Sequence, residues 1–184
     1  MPRYVAFLRA INLGRERNVR METLRRAFEA LGFRAVSSYI ASGNIIFDSP
    51  GRDPAALENR IEEALLNALG FEVTPFVRSS AELVRIAAYK PFPRSVMGPH
   101  DELGVLLLTT APGPAAQRSL KSLQAPSDEL RVRGREIYWL RHRSPAGEIY
   151  TATPFDRALN QPFTVRSLNT VRKIAEKYGG KVVP

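Results

Sequence analysis

The chain has 184 residues, no cysteine and a formal net charge of +9. That length suits one large or two small domains, able to bury about two-thirds of the unfolded surface without a metal or disulfide staple. The missing thiols exclude a disulfide framework, thiol catalysis and thiolate metal sites, and they suit a reducing cytoplasm.

Of the 27 basic side chains 22 are arginine, and the excess lies in the outer thirds: residues 1–50 carry 8 basic and 4 acidic groups, 51–100 carry 6 and 6, and 101–184 carry 13 and 8. Such a balance makes nucleic acid or a small phosphate-bearing ligand a candidate partner, and an arginine-rich solvating surface produces it equally well. Apolar runs such as residues 4–8 and 105–108 are far too short to span a membrane. Arginines interrupt every apolar run in the first 30 residues, so no leader segment and no membrane partner are expected and the protein is placed in the cytoplasm.

Residues 4–13 are nearly continuous apolar sequence and predict a central strand. Met21, Leu24, Phe28 and Leu31 recur at helical spacing, with Asn18 to cap the helix and Gly32 to end it. Residues 36–40 and 44–47 are rich in β-branched and aromatic side chains around Ser42-Gly43-Asn44, which predicts a hairpin, or one strand bulged at Gly43. Asp53 with Pro54 opens a second helix whose stripe of Leu57, Ile61, Leu65 and Leu69 stops at Gly70. Residues 71–77 read as a strand, and Pro75 sends it to a sheet edge. A short helix follows over 80–89. The order βαββαβ is that of a ferredoxin-like plait, an α+β fold with helices on one sheet face.

Pro91, Pro93, Gly98 and Pro99 interrupt both periodicities. The expected organisation is a plait module over residues 1–92, a linker over 93–100 and a plait-like module over 101–184. In the second module residues 103–109 predict a strand, 114–123 a helix, 130–132 with 137–140 a hairpin turning near Gly134 and Arg135, and 149–152 a further strand. Leu168, Val171, Ile174 and Tyr178 mark a last helix closed by Gly179-Gly180. The second half echoes the first in element order, without a visible sequence repeat.

The connection from the first strand to the first helix carries Gly14, Arg15, Arg17 and Arg20, which combine guanidinium groups with the N–H groups of a helix start. It matches neither GxxxxGK[ST] nor GxGxxG, so neither a nucleotide cofactor nor any other cofactor is expected, and a solvated loop accounts for it as well. Arg9 shares the strand face of Val5, Phe7, Ile11 and Leu13 by alternation, and a guanidinium there needs a carboxylate, carbonyl groups or a bound anion. Ser42, Gly43 and Asn44 offer a hydroxyl, a close backbone approach and an amide, all of which a tight turn also explains. His100 and His142 form no triad or metal pair by spacing, so no metal site is expected, and Glu62-Glu63 and Asp128-Glu129 read as solvated charges. Arg131, Arg133, Arg141 and Arg143 interleaved with Tyr138 and Trp139 could hold a single strand by stacking and phosphate pairing, or could be hairpin packing.

The ordered set Leu8-Arg9-Ala10-Ile11-Asn12-Leu13-Gly14, Met21, Leu31-Gly32-Phe33, Ser42-Gly43-Asn44, Pro91-Phe92, Ile137-Tyr138 and Thr164 through Val171 resembles the bacterial domain of unknown function 1697 family. Where members read TxRNWxTV, this chain has Ser167-Leu168 in place of the Asn-Trp pair. The resemblance implies two plait-like α/β modules and no assigned reaction. Together these readings nominate Arg9, Asn12, Gly14, Arg15, Arg17, Arg20, Ser42, Gly43, Asn44, Arg166, Asn169 and Thr170 as ligand-binding residues. The leading expectation is binding of a phosphate-bearing ligand or nucleic acid. An enzyme for a small anionic metabolite in a cleft between modules and a self-associating structural protein are the alternatives.

Overall fold

The structure is a computed structural model that describes residues 1–9, 11, 19–40, 43–124, 127–142 and 155–179. The elements run β1 Arg3–Leu8, α1 Met21–Ala30, β2 Arg34–Ser38, β3 Asn44–Asp48, α2 Pro54–Leu69, β4 Pro75–Ser79 and α3 Ser80–Ala88. A single 3-10 turn at Arg94–Val96 precedes β5 Glu102–Leu108, α4 Pro114–Ser122, β6 Asp128–Arg133, β7 Glu136–Arg141, α5 Phe155–Leu159, β8 Phe163–Ser167 and α6 Leu168–Tyr178. The fold is α+β, with two four-stranded antiparallel sheets of order β2-β3-β1-β4 and β6-β7-β5-β8, each accompanied by helices. Residues 1–85 with the segment from Arg172 onward pack as one unit, and residues 86–171 as the other, so the division falls within α3 and within α6.

In the first unit β1 lies between β3 and β4, with Ala6 opposite both Ile45 and Val77. Tyr4, Ala6, Leu8, Ile45, Phe47 and Val77 face Leu24 and Phe28 of α1 and Leu57, Ile61 and Leu65 of α2. Phe47 stacks on Phe33 at 4.6 Å between ring centroids and meets Phe28 edge-on at 5.3 Å, contacts that add about 0.5–1.5 kcal/mol each beyond area burial. Alternation puts Val5, Phe7, Ile46, Phe76 and Arg78 on the opposite face, and they are buried as well. Local chemistry sets the helix ends. Asp53 Oδ1 accepts the Ala55 N–H at 3.0 Å with Pro54 in the first turn, and Gly70 closes α2 at φ 75°.

Three expectations shift. β1 ends at Leu8 rather than residue 13, with the Arg9 N–H still bonding Thr74 O at 2.9 Å in the register of the β1–β4 pair, and residues 10, 12 and 13 lie outside the described residues. Arg20, not Asn18, is the N-cap residue of α1, and Asn18 lies outside the described residues. The fourth strand starts at Pro75 instead of residue 71. It is an edge strand, as a proline requires. The expected strand at 149–152 also lies outside the described residues.

In the second unit Leu106, Leu108, Leu130, Ile137 and Trp139 pack with Leu120 of α4 and with Phe155, Ala158 and Leu159 of α5. On the other face Tyr138 is fully buried, its ring 4.9 Å from that of Tyr89. Tyr138 and Trp139 are therefore core residues with no free face for a nucleic-acid base. Arg131 lies over Phe92 at 5.2 Å and Arg133 over Tyr89 at 4.2 Å, strapping residues 89–92 to the hairpin. Asp128, expected in solvent, is buried, with Oδ1 accepting the Trp139 indole N–H at 2.6 Å.

Two elements absent from the sequence reading, α5 and β8, complete the second unit. Once β8 is placed, a repeat becomes visible: Val77-Arg78-Ser79 with Ile86-Ala87 recurs at the same spacing as Val165-Arg166-Ser167 with Ile174-Ala175. The equivalence is structural. Arg78 stands opposite Val5 and Arg166 opposite Val105, and each Nη1 donates to the preceding carbonyl, Val77 O at 2.9 Å and Val165 O at 2.8 Å. Each serine then starts a helix: Ser79 Oγ accepts from Glu82 N at 3.3 Å while Glu82 Oε2 accepts from Ser79 N at 2.8 Å, and Ser167 Oγ accepts from Asn169 N at 3.2 Å.

Glu58 is a buried carboxylate of α2 whose Oε1 accepts the Val77 N–H of edge strand β4 at 2.7 Å. Removing it strips an acceptor from a buried donor, a loss of roughly 1–3 kcal/mol. Urea denaturation should show Glu58→Ala destabilised by that amount and Glu58→Gln, which keeps an acceptor oxygen, by clearly less. Equal midpoints for Glu58→Ala and the parent would remove the carboxylate from the account of this edge.

Candidate functional site

The first strand ends at Leu8, between the segments that enter β3 and β4. The Leu8 N–H donates to Gly43 O at 2.8 Å and the Arg9 N–H to Thr74 O at 2.9 Å, so the segments entering β3 and β4 hold the end of β1 from either side. Ile11 is buried in the core of this unit, as is Val19 just before α1. The connection between them carries the basic residues singled out above.

Gly43 is required by position. Its φ of 73° is in the left-handed region, and an added Cβ would overlap Ile11 Cδ1 and lie 3.2 Å from Leu8 Cβ. Asn44 is fully buried, with Nδ2 donating to Tyr39 O at 3.0 Å while its own carbonyl accepts the Tyr39 N–H at 3.0 Å. Both residues thus shape the turn between β2 and β3. Ile40 in that turn has φ 51° and is 56% exposed, an uncommon setting for a β-branched side chain.

Arg9 is half-buried just past the end of β1, where its N–H extends the pairing with the β4 side through Thr74 O. Arg20 is exposed and takes the N-cap of α1 in an extended conformation without a side-chain hydrogen bond to the first turn. Glu22 in that turn is engaged by Arg26 at 2.6 Å. Asn12, Gly14, Arg15, Arg17 and Ser42 lie outside the described residues. Arg9, Gly43 and Asn44 thus gather around the end of β1.

Arg166, Asn169 and Thr170 belong to the other unit, at the junction of β8 and α6. The Arg166 guanidinium donates through Nη1 to Thr164 Oγ1 and to Val165 O, both at 2.8 Å, and burial pushes its pKa down to about 10, which leaves it charged at neutral pH. Asn169 is exposed and Thr170 partly so. Among the described residues no group of three or more histidine and acidic side chains is placed to hold a metal ion. The sequence reading passed over Arg78 and the acid pair around His142; for Arg78 the Val-Arg-Ser repeat was the available signal.

Gly43→Ala and Gly32→Ala separate two costs. Gly32, at φ 79°, has no atom within 4 Å of an added Cβ, so alanine there meets only the backbone penalty of roughly 1 kcal/mol. Gly43→Ala adds the overlap with Ile11 and should lose about 2 kcal/mol or more in urea. Equal losses would show that the turn yields without disturbing Ile11.

A family model described as a protein of unknown function, DUF1697, matches residues 1–138. No curated protein matches the chain. Among solved structures it is similar to the conserved bacterial protein SP0830 from Streptococcus pneumoniae, at 24% identity and a TM-score of 0.72 over 95% of this chain and 97% of that one. That likeness concerns the fold. With more than half its length matched by the family model, the chain belongs to the DUF1697 family of proteins of unknown function.

Proposed function

We propose that the first unit binds a phosphate-bearing ligand at the end of β1, through Arg9, Arg15, Arg17 and Arg20 with the first turn of α1. The observation that carries this reading is the start of α1. Arg20 occupies the N-cap with no side-chain bond to the first turn, and the adjoining connection is basic. Helix N–H groups beside guanidinium groups suit phosphate oxygens in charge and hydrogen-bond direction. Gly43 and Asn44 support the site by fixing the turn against the end of β1, and Asn12, Gly14 and Ser42 belong to the same proposal. In the second unit Arg166, Asn169 and Thr170 are proposed as ligand contacts of their own. A small ligand fits better than a single nucleic-acid strand, since Tyr138 and Trp139 are buried and offer no stacking platform.

The proposal extends to the fold and its setting. We assign each unit to the ferredoxin-like plait, on the strand orders β2-β3-β1-β4 and β6-β7-β5-β8, with residues 93–100 as the segment that connects α3 to β5 within the second unit. We place the protein in the cytoplasm. No helix among the described residues is long and apolar enough to cross a membrane, and the chain has no cysteine.

Titration calorimetry with pyrophosphate, beside anisotropy of labelled oligonucleotides at several salt concentrations, tests the site. Arg15→Glu with Arg17→Glu should weaken pyrophosphate binding about tenfold or more, the scale of losing one charge-assisted hydrogen bond, with the thermal midpoint unchanged. Affinity equal to that of the parent would sink the assignment. Tight oligonucleotide binding with a steep salt slope would instead move the ligand class to nucleic acid.

A further inference from the structure

His142 follows the last residue of β7 and its backbone N–H donates to Ser127 O at 2.9 Å. Its ring lies between two acids, with Nδ1 2.6 Å from Asp101 Oδ2 and Nε2 3.2 Å from Glu129 Oε1. A neutral imidazole has one N–H and one lone pair. With carboxylate oxygens at both nitrogens, a neutral ring would set a lone pair against one of them. Only the imidazolium donates on both sides.

The acids come from different elements. Asp101 precedes β5, its side chain is 6% exposed, and Oδ2 also accepts the Gly98 N–H at 2.8 Å while Gly98 O accepts the Asp101 N–H at 3.3 Å. It closes the turn 98–101. Glu129 is on edge strand β6 with the Arg131 guanidinium 3.6 Å away. The other charged groups of the packed strands are engaged nearby: Asp128 by Trp139 and the Ser127 hydroxyl, and Glu102 by Arg141 at 3.6 Å, which also lies over the Trp139 ring at 3.9 Å.

We propose that His142 is a proton-operated clasp: as the imidazolium it ties the turn 98–101 to edge strand β6, and loss of its proton releases that turn. The hydrogen bonds that the ring donates to Glu129 and Asp101 hold its pKa above the ordinary value of 6.5, against the opposing effect of desolvation. The sign follows. A group whose folded pKa is raised contributes fully below the unfolded value and loses that contribution as pH rises through the folded one. The clasp is closed in mildly acidic solution and opens on alkalinisation above pH 6.5. The turn adjoins Pro93 to Gly98, all exposed.

Histidine ring resonances of the full chain, followed by NMR from about pH 5 to about pH 9, report the titration. Amide protection of Gly98, corrected for intrinsic exchange, reports the turn. The expected result is that His142 titrates above 6.5 and that Gly98 protection falls about tenfold over the same range, the scale of one lost charge-assisted bond. His142→Gln should remove that pH dependence. Glu129→Gln removes one acceptor charge and should move the His142 midpoint downward, which keeps the test alive if His142→Gln fails to fold. Titration at or below 6.5, Gly98 protection independent of pH, or an unmoved midpoint in Glu129→Gln would overturn the clasp.

Discussion

From Tyr4 to Leu8 and again from Val105 to Leu108 every side chain is buried. Successive strand residues point to opposite faces, so each sheet must be covered on both. The helices α1 and α2, and α4 with α5, cover one face of each. On the second sheet, residues 86–92 contribute to the other face, where Tyr89 meets Tyr138 and Arg131 and Arg133 lie over Phe92 and Tyr89. This demand explains why β1 and β5 sit inside their sheets and why polar groups near them are so closely matched. Asn44, Glu58 and Asp128 are buried, and each has a named donor or acceptor in the fold.

The surplus of arginine looks different once placed. Arg3 pairs with Asp48, Arg60 lies over Phe33, and Arg131, Arg133 and Arg141 lie over Phe92, Tyr89 and Trp139. A planar guanidinium covers an aromatic face while keeping its edge for water, which lysine does less well. Arg78 and Arg166 anchor equivalent strands by bonding the preceding carbonyl. Much of the positive charge therefore serves packing. The phosphate proposal accordingly rests on the arginines that flank the exit from β1 and not on net charge.

Repetition joins the two units. The same strand order, the same Val-Arg-Ser step at β4 and β8 and the same serine start to α3 and α6 describe one supersecondary plan used twice. The copies differ in their polar inserts. The exit from β1 carries the basic connection, while the strand β5 is entered through the turn that His142 holds. A shared scaffold with divergent ends is the usual way one fold carries different chemistry.

Elements governed by short-range chemistry were legible in the sequence: Asp53-Pro54 and Gly70 bound α2, Gly32 follows α1, Pro75 marks an edge strand, and Gly134 turns the second hairpin at φ 61°. Caps, turns and helical stripes depend on atoms a few residues apart, so the amino-acid order alone determines them. Of the candidate site, Arg9, Gly43 and Asn44 were named from residue type, but the reason Gly43 is needed, its contact with Ile11, is long-range. Only tertiary structure decided that β1 stops at Leu8, that Phe163–Ser167 is a strand, and that His142 lies between residues 41 and 13 positions away. The five residues of β8 contain no long apolar run and draw their stability from pairing with β5, while the charge on His142 depends on two acids that folding alone brings to its ring.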